Sequence, residues 1–133
     1  MLRAVADTHV VIWYLYDNPR LSLRARTFVE ATAASGDEIG VSTITFIEMT
    51  YLIEKGRIPT EMYRRLSMEL ATPGAALQEI PVTRGVADAF AIVPRVEVPD
   101  MPDRIIAATA VAFNVPVISH DGKIRASGVA TIW

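Results

Sequence analysis

Short apolar runs alternate with amphipathic stretches from one end of this chain to the other. Leu2-Arg3-Ala4-Val5-Ala6 predicts a first strand. His9 to Tyr16 predicts an apolar, aromatic helix, stopped by Asp17-Asn18-Pro19. Ser22 suits the cap of a helix that places Ala25, Phe28, Val29 and Thr32 on one face and ends at Ser35-Gly36-Asp37. Ile39-Gly40-Val41-Ser42 predicts a second strand. Ser42 or Thr43 then caps a helix to Lys55, with Gly56 as its stop and Phe46, Met49, Thr50 and Ile53 on its apolar face. Thr60 opens a helix to about Leu70, and Leu77 to Val82 predicts a third strand. A helix capped by Thr83 runs to about Val93, and the three prolines between Pro94 and Pro102 predict a loop. From Pro102, a residue suited to the first helical position, a helix runs to about Asn114. Val115 to Ser119 predicts a fourth strand, Asp121-Gly122 a turn, and Ala130 to Trp133 a closing edge strand.

Strands that alternate with helices imply a parallel sheet covered by helices on both faces, the α/β class. In such folds ligands bind beyond the carboxyl ends of the strands. At 133 residues, with no linker or repeat, the chain is expected to form one domain, residues 1–133. Its apolar residues never approach the run of ~20 that a membrane span needs. The first seven residues do not form a signal peptide, and the chain has no cysteine, so the expected location is the cytoplasm. The net charge of -2 lacks the basic footprint usual in nucleic-acid binders. A polyanion would have to be held by local cationic side chains or by bound cations.

Four acids stand in surroundings that do not suit an unpaired charge. Asp7 follows the first strand, and Glu48 lies in the helix after the second, the only formal charge from Ile39 to Ile53. Asp103 falls in the first turn of the small-residue helix, beside the positive end of its dipole, and Asp121 follows the fourth strand. Taken singly, each has an ordinary reading as a turn former, helix cap or solvated residue. Asp100 is the better candidate to cap the Asp103 helix and is set outside the site. Taken together, the four converge on one crevice of a doubly wound sheet. Carboxylates about 4 Å apart repel by ~4 kcal/mol at an effective dielectric near 20. A hard divalent cation removes that conflict, and all-oxygen ligation suits Mg²⁺ or Mn²⁺. Zinc fits poorly, since only His9 and His120 add softer donors.

On these residues the chain resembles the PIN-domain ribonucleases, and within them the VapC-like toxins of toxin–antitoxin pairs. The matching segments are Val5-Ala6-Asp7-Thr8-His9, Ser42 through Glu48, Asp103-Arg104-Ile105-Ile106-Ala107-Ala108-Thr109-Ala110, and Val117-Ile118-Ser119-His120-Asp121. The resemblance covers essentially the whole chain. It implies a three-layer α/β/α sandwich with a central parallel sheet. It also implies Asp7, Glu48, Asp103 and Asp121 as the acidic cluster, with Ser119 as a polar helper and Thr8 as a supporting residue. Met101 and His120 are its mild departures from the family pattern.

The chemistry so implied is metal-assisted hydrolysis of RNA phosphodiester bonds, with Asp7 and Asp103 as first direct ligands, Asp121 beside them, and Glu48 orienting water or holding a second ion. Arg104, Lys123 and Arg125 are candidates for phosphate contact. Trp13, Tyr14, Tyr16, Tyr51 and Leu52 are candidates for an exposed apolar surface. The resemblance implies a small VapB-like antitoxin and a second copy of the chain as partners, besides the RNA substrate. Two other readings are set against this one. A phosphoacceptor receiver domain would need paired acids after the first strand, where this chain has one. A PIN-like module that only binds RNA or protein would not require all four acids.

Overall fold

A computed structural model describes residues 1–133. Five strands, β1 (Leu2–Ala6), β2 (Glu38–Ser42), β3 (Leu77–Ile80), β4 (Val117–Ile118) and β5 (Thr131–Ile132), form one sheet in the order β3-β2-β1-β4-β5. Every pairing is parallel. Seven helices join them: α1 (Thr8–Leu15), α2 (Leu23–Ala34), α3 (Ile44–Glu54), α4 (Glu61–Ala71), α5 (Arg84–Phe90), α6 (Met101–Phe113) and α7 (Gly122–Ala126). The chain winds outward from β1 to β3, then crosses back to place β4 on the other side of β1. That reversal is a switch point, and it opens a crevice above the carboxyl ends of β1 and β4.

The central strands are apolar on both faces because helices cover both. Ala4 and Ala6 of β1 join a core with Val10, Val29, Met49, Met62 and Leu66 of α1 to α4. Val5, between them, points the other way, into a core with Val86, Ile106, Ala107, Ala108 and Ile124 of α5 to α7. Val117 and Ile118 of β4 divide the same way. The result is the three-layer α/β/α sandwich that the strand–helix alternation implied.

Local chemistry sets the helix starts. Ser22 accepts from the Ala25 N–H at 3.1 Å and Thr83 from the Val86 N–H at 3.5 Å, as the pattern predicts. At α3 the cap position is Thr43, whose hydroxyl donates to Glu79 at 2.9 Å instead of capping, while the preceding Ser42 hydroxyl accepts from the Ile44 N–H at 3.3 Å. The last three strands are shorter than expected, β4 being only Val117–Ile118, and three helices depart from expectation. Met101 takes the first position of α6, so Pro102 is second and Asp103 third. α5 ends at Phe90 rather than near Val93. The expected turn at Asp121-Gly122 is instead the start of α7, because the Asp121 carboxylate accepts from the Lys123 and Ile124 N–H groups at 2.7 and 3.3 Å. No helix is long and apolar enough to cross a membrane.

Gly40 marks the tightest point of the sheet. A Cβ there would stand 2.9 Å from Ile80 Cγ1 and 3.1 Å from Leu2 Cδ1. Gly40→Ala is therefore expected to cost about 1–3 kcal/mol through overpacking, measured by urea unfolding, with no loss from an altered φ.

Candidate metal centre

The switch point brings the ends of β1 and β4 together through side chains as well as backbone. Asp7 directly follows β1 and caps α1 by position, without a side-chain bond to that helix. It is only 4% exposed. Ser119 follows β4. Its hydroxyl accepts from the Asp121 N–H at 3.0 Å and donates to Asp7 Oδ2 at 2.8 Å. The backbone of the last acid thereby orients the hydroxyl that holds the first. Asp7 Oδ1 has no partner although it is buried. A buried carboxylate oxygen left unpaired is costly, and a cation offsets that cost.

The other side of the crevice is built by α3 and α6. Glu48, in the second turn of α3, is half-buried, and its Oε1 is also buried without a partner. Asp103 sits in the first turn of α6. Ligand atoms of Glu48, Asp103 and Asp100 all lie within 4.8 Å of one another. Asp100 does cap α6, accepting from the Asp103 N–H at 3.1 Å. It also faces the other acids, so its assignment to capping alone is corrected. Its signal in the sequence was the three-residue spacing to Asp103, which places a cap and a first-turn acid over the same helix mouth. Thr8 closes the floor: its hydroxyl meets that of Thr45 at 3.0 Å, both buried.

Electrostatics binds the acids into one unit. Burial, followed by the charges of Asp7, Asp100, Asp121 and Glu48, pushes the Asp103 carboxyl up to about 8. Burial raises Asp7 as well, against the Ser119 hydrogen bond and the charge of His9. Burial raises Glu48, against the adjacent Thr8 hydroxyl, with the charge of Asp7 adding to the rise. All four predicted acids therefore act on one another, and Asp100 is a fifth. The tight triple contains Glu48, Asp103 and Asp100, while Asp7 and Asp121 stand beside it, joined through Ser119.

The flanking cations divide. Arg104 is committed to the fold, with its Nε donating to the Val93 carbonyl at 2.9 Å and its guanidinium 4.1 Å from the Phe90 ring centroid. These contacts use its Nε–H and one face of the guanidinium. Lys123 is exposed and lines a cavity of about 570 Å³ with Asp100, Asp103, His120 and Asp121. Arg125 is exposed on α7. Of the expected apolar surface, Tyr51 and Tyr16 are exposed, whereas Trp13, Tyr14 and Leu52 are half-buried against the core. A second groove, of about 610 Å³, runs from Glu48 and Asp100 along α3 past Ile47, Tyr51 and Lys55.

A partly buried acid cluster at the switch point of a parallel sheet fits an α/β protein that holds a cation. The chain belongs to the PIN-domain family, whose model matches residues 4–128. It is 27% identical over 141 aligned positions, spanning all of both chains, to "Ribonuclease VapC22" of Mycobacterium tuberculosis. Among solved structures it is similar to VapBC2 of Rickettsia felis bound to a promoter DNA fragment, at a TM-score of 0.71 and 17% identity over 98% of this chain and 97% of that one. A toxin–antitoxin complex from Klebsiella pneumoniae matches at a TM-score of 0.67 and 22% identity, over 98% and 96% of the two chains.

The raised carboxyls predict how stability follows pH. Asp103 keeps its proton to about pH 8 when folded but loses it near 3.8 when unfolded. Between those values the unfolded chain binds fewer protons, so stability falls as pH rises through the window. In EDTA the midpoint of thermal unfolding is therefore expected to be lower at about pH 8 than at about pH 5. Added Mg²⁺ should raise the midpoint more at the higher pH, because the ion replaces the lost protons. An equal Mg²⁺ effect at both values would contradict a carboxylate cation site.

Proposed function

We propose that this protein is a divalent-cation-dependent ribonuclease that hydrolyses RNA phosphodiester bonds as the toxin of a VapBC-type pair. The observation that carries the reading is the pair of orphaned buried oxygens, Asp7 Oδ1 and Glu48 Oε1, inside a cluster of mutually repelling acids. An arrangement that destabilises the empty fold fits a cation, and Mg²⁺, with Mn²⁺ as the substitute, suits its hard oxygen donors.

Asp7, Asp103 and Asp121 would hold the cation, with Glu48 and Asp100 on the α3 side. When bound, the cation supplies positive charge at the scissile phosphate and acidifies the attacking water. The chain's own residues set the geometry for that step. Ser119 fixes one oxygen of Asp7 and leaves the other free. The Thr8 hydroxyl, paired with that of Thr45, stands beside Glu48 and favours its ionised form. Glu48 would orient a water or hold a second ion on the α3 side, through the oxygen that has no protein partner. The exposed Lys123 ammonium, which lines the same cavity as the acids, would meet a phosphate oxygen.

A partner of the antitoxin kind fits the groove along α3, where Ile47 and Tyr51 are 62% and 57% exposed and the acids lie at one end. An apolar segment there, ending in an arginine, would satisfy both parts of the surface. The structural likeness to VapBC and other toxin–antitoxin complexes supports such a partner. The family resemblance adds a second copy of the chain, and the cytoplasm as the place of action.

Purified protein is expected to cleave single-stranded RNA in Mg²⁺ and to lose that activity in EDTA. Asp7→Asn or Asp103→Asn should lower the cleavage rate by at least ~100-fold with the fold intact by circular dichroism. Full activity in either variant would overturn the assignment. Metal-dependent RNA binding without cleavage by the unaltered chain would instead favour a binding module.

A further inference from the structure

Four aromatic side chains gather beside the acids, outside the proposed ligand set. The Trp13 ring centroid lies 6.0 Å from that of His9, 6.1 Å from His120 and 5.8 Å from Trp133. His120 and Trp133 are nearer still, at 5.0 Å with planes inclined by 52°. The four come from separate parts of the chain. His9 and Trp13 are one turn apart on α1, His120 follows β4, and Trp133 follows β5. The topology therefore assembles the cluster at the same carboxyl edge of the sheet as the acids.

Core packing accounts for only half of it. Trp13 and Trp133 are half-buried and lean on the core. Both imidazoles are exposed. His9 opens onto the α3 groove that Glu48 and Asp100 also line. His120 opens onto the cavity lined by Asp100, Asp103 and Asp121. Each exposed ring thus shares a cavity with some of the acids, and each packs on Trp13.

Charge gives the cluster a task. The chain carries a net charge of -2, and Arg104, the cation nearest Asp103 in sequence, is tied to Val93 and Phe90. Lys123 is the one Lys or Arg side chain lining the acid cavity, which leaves room for a second source of affinity for RNA. Stacking on aromatic rings supplies affinity without positive charge and tolerates any base. Unpaired bases, and not those of a duplex, offer their faces to such rings.

We propose that His9, Trp13, His120 and Trp133 form a platform that stacks an unpaired nucleobase of the substrate beside the scissile phosphodiester. His120 is the principal contact, flanked by Trp13 and Trp133. This rests on the ribonuclease reading above, and the experiment separates the two.

The chain's only two tryptophans both lie in the cluster, so its intrinsic fluorescence reports the platform. The Asp103→Asn protein in Mg²⁺ is titrated with a short single-stranded RNA of mixed sequence and with an abasic oligomer of equal length. The RNA is expected to quench the fluorescence and the abasic oligomer to leave it unchanged. In cleavage assays of the otherwise unaltered chain, His120→Ala should raise KM by about tenfold with little change in kcat, the loss of one stacked base. His120→Phe should restore KM, since a phenyl ring stacks but transfers no proton.

RNA that binds by anisotropy without quenching would overturn the platform. So would equal quenching by the abasic oligomer, or a His120→Phe protein as impaired as His120→Ala. Normal Mg²⁺-dependent cleavage with an unchanged KM in His120→Ala defeats the platform alone. Failure to bind or cleave any RNA defeats the ribonuclease reading and the platform together. Protection of the tryptophans by a protein partner, with none by RNA, assigns the cluster to protein docking and overturns the proposal.

Discussion

The Ser119–Asp7 hydrogen bond ties β1 to β4 at the point where the chain reverses its winding. Asp7 ends one strand, Ser119 ends the other, and the two strands are neighbours only because the connection after β3 crosses back over the sheet. One hydroxyl then does two things. It satisfies one carboxylate oxygen and, by accepting from the Asp121 N–H, sets where the last acid begins. The second Asp7 oxygen stays bare. The crevice, the acid cluster and the start of α7 all follow from that local arrangement.

The fold carries a cost at this place. Five acids share a partly buried crevice, and the one at the mouth of α6 is pushed up to about 8 by burial and by the other four. Packing elsewhere offsets the cost. Two apolar cores lie on opposite faces of the sheet, and β1 contributes to both through alternating residues. Small residues at Ala107, Ala108 and Ala110, all fully buried, let α6 approach the sheet closely and carry Asp103 toward Asp7. A site that is strained when empty responds strongly to a cation, which couples stability to the state that functions.

The crevice also has a directional rim. Acids occupy its centre, the α3 groove with Ile47 and Tyr51 leads away on one side, and the aromatic cluster stands at the end of β4 and β5. The apolar and aromatic parts of the rim do not repel a polyanion, which the centre does until cations are bound. Charge and stacking are thereby assigned to different parts of one surface.

Much of this was readable in the residues. The alternation of strands and helices named the class, because apolar periodicity is set locally. Ser22, Thr83 and Asp100 cap helices as their positions suggest, since a cap needs only its own first turn. The four acids were conspicuous as lone charges in apolar stretches. What the sequence could not reveal depends on distance through space. Asp100 was recognised as a cap, but its approach to Glu48 is decided by how α3 and α6 pack. The anchoring of Arg104 is likewise decided in space, where the end of α5 and the loop after it bring Phe90 and Val93 against it. Asp121 began a helix instead of a turn because its carboxylate met two N–H groups just beyond it. Residue types and their spacing thus determined the elements and the chemistry available. The strand order decided which charges and rings face one another, because contacts between distant parts of the chain exist only once the sheet has formed.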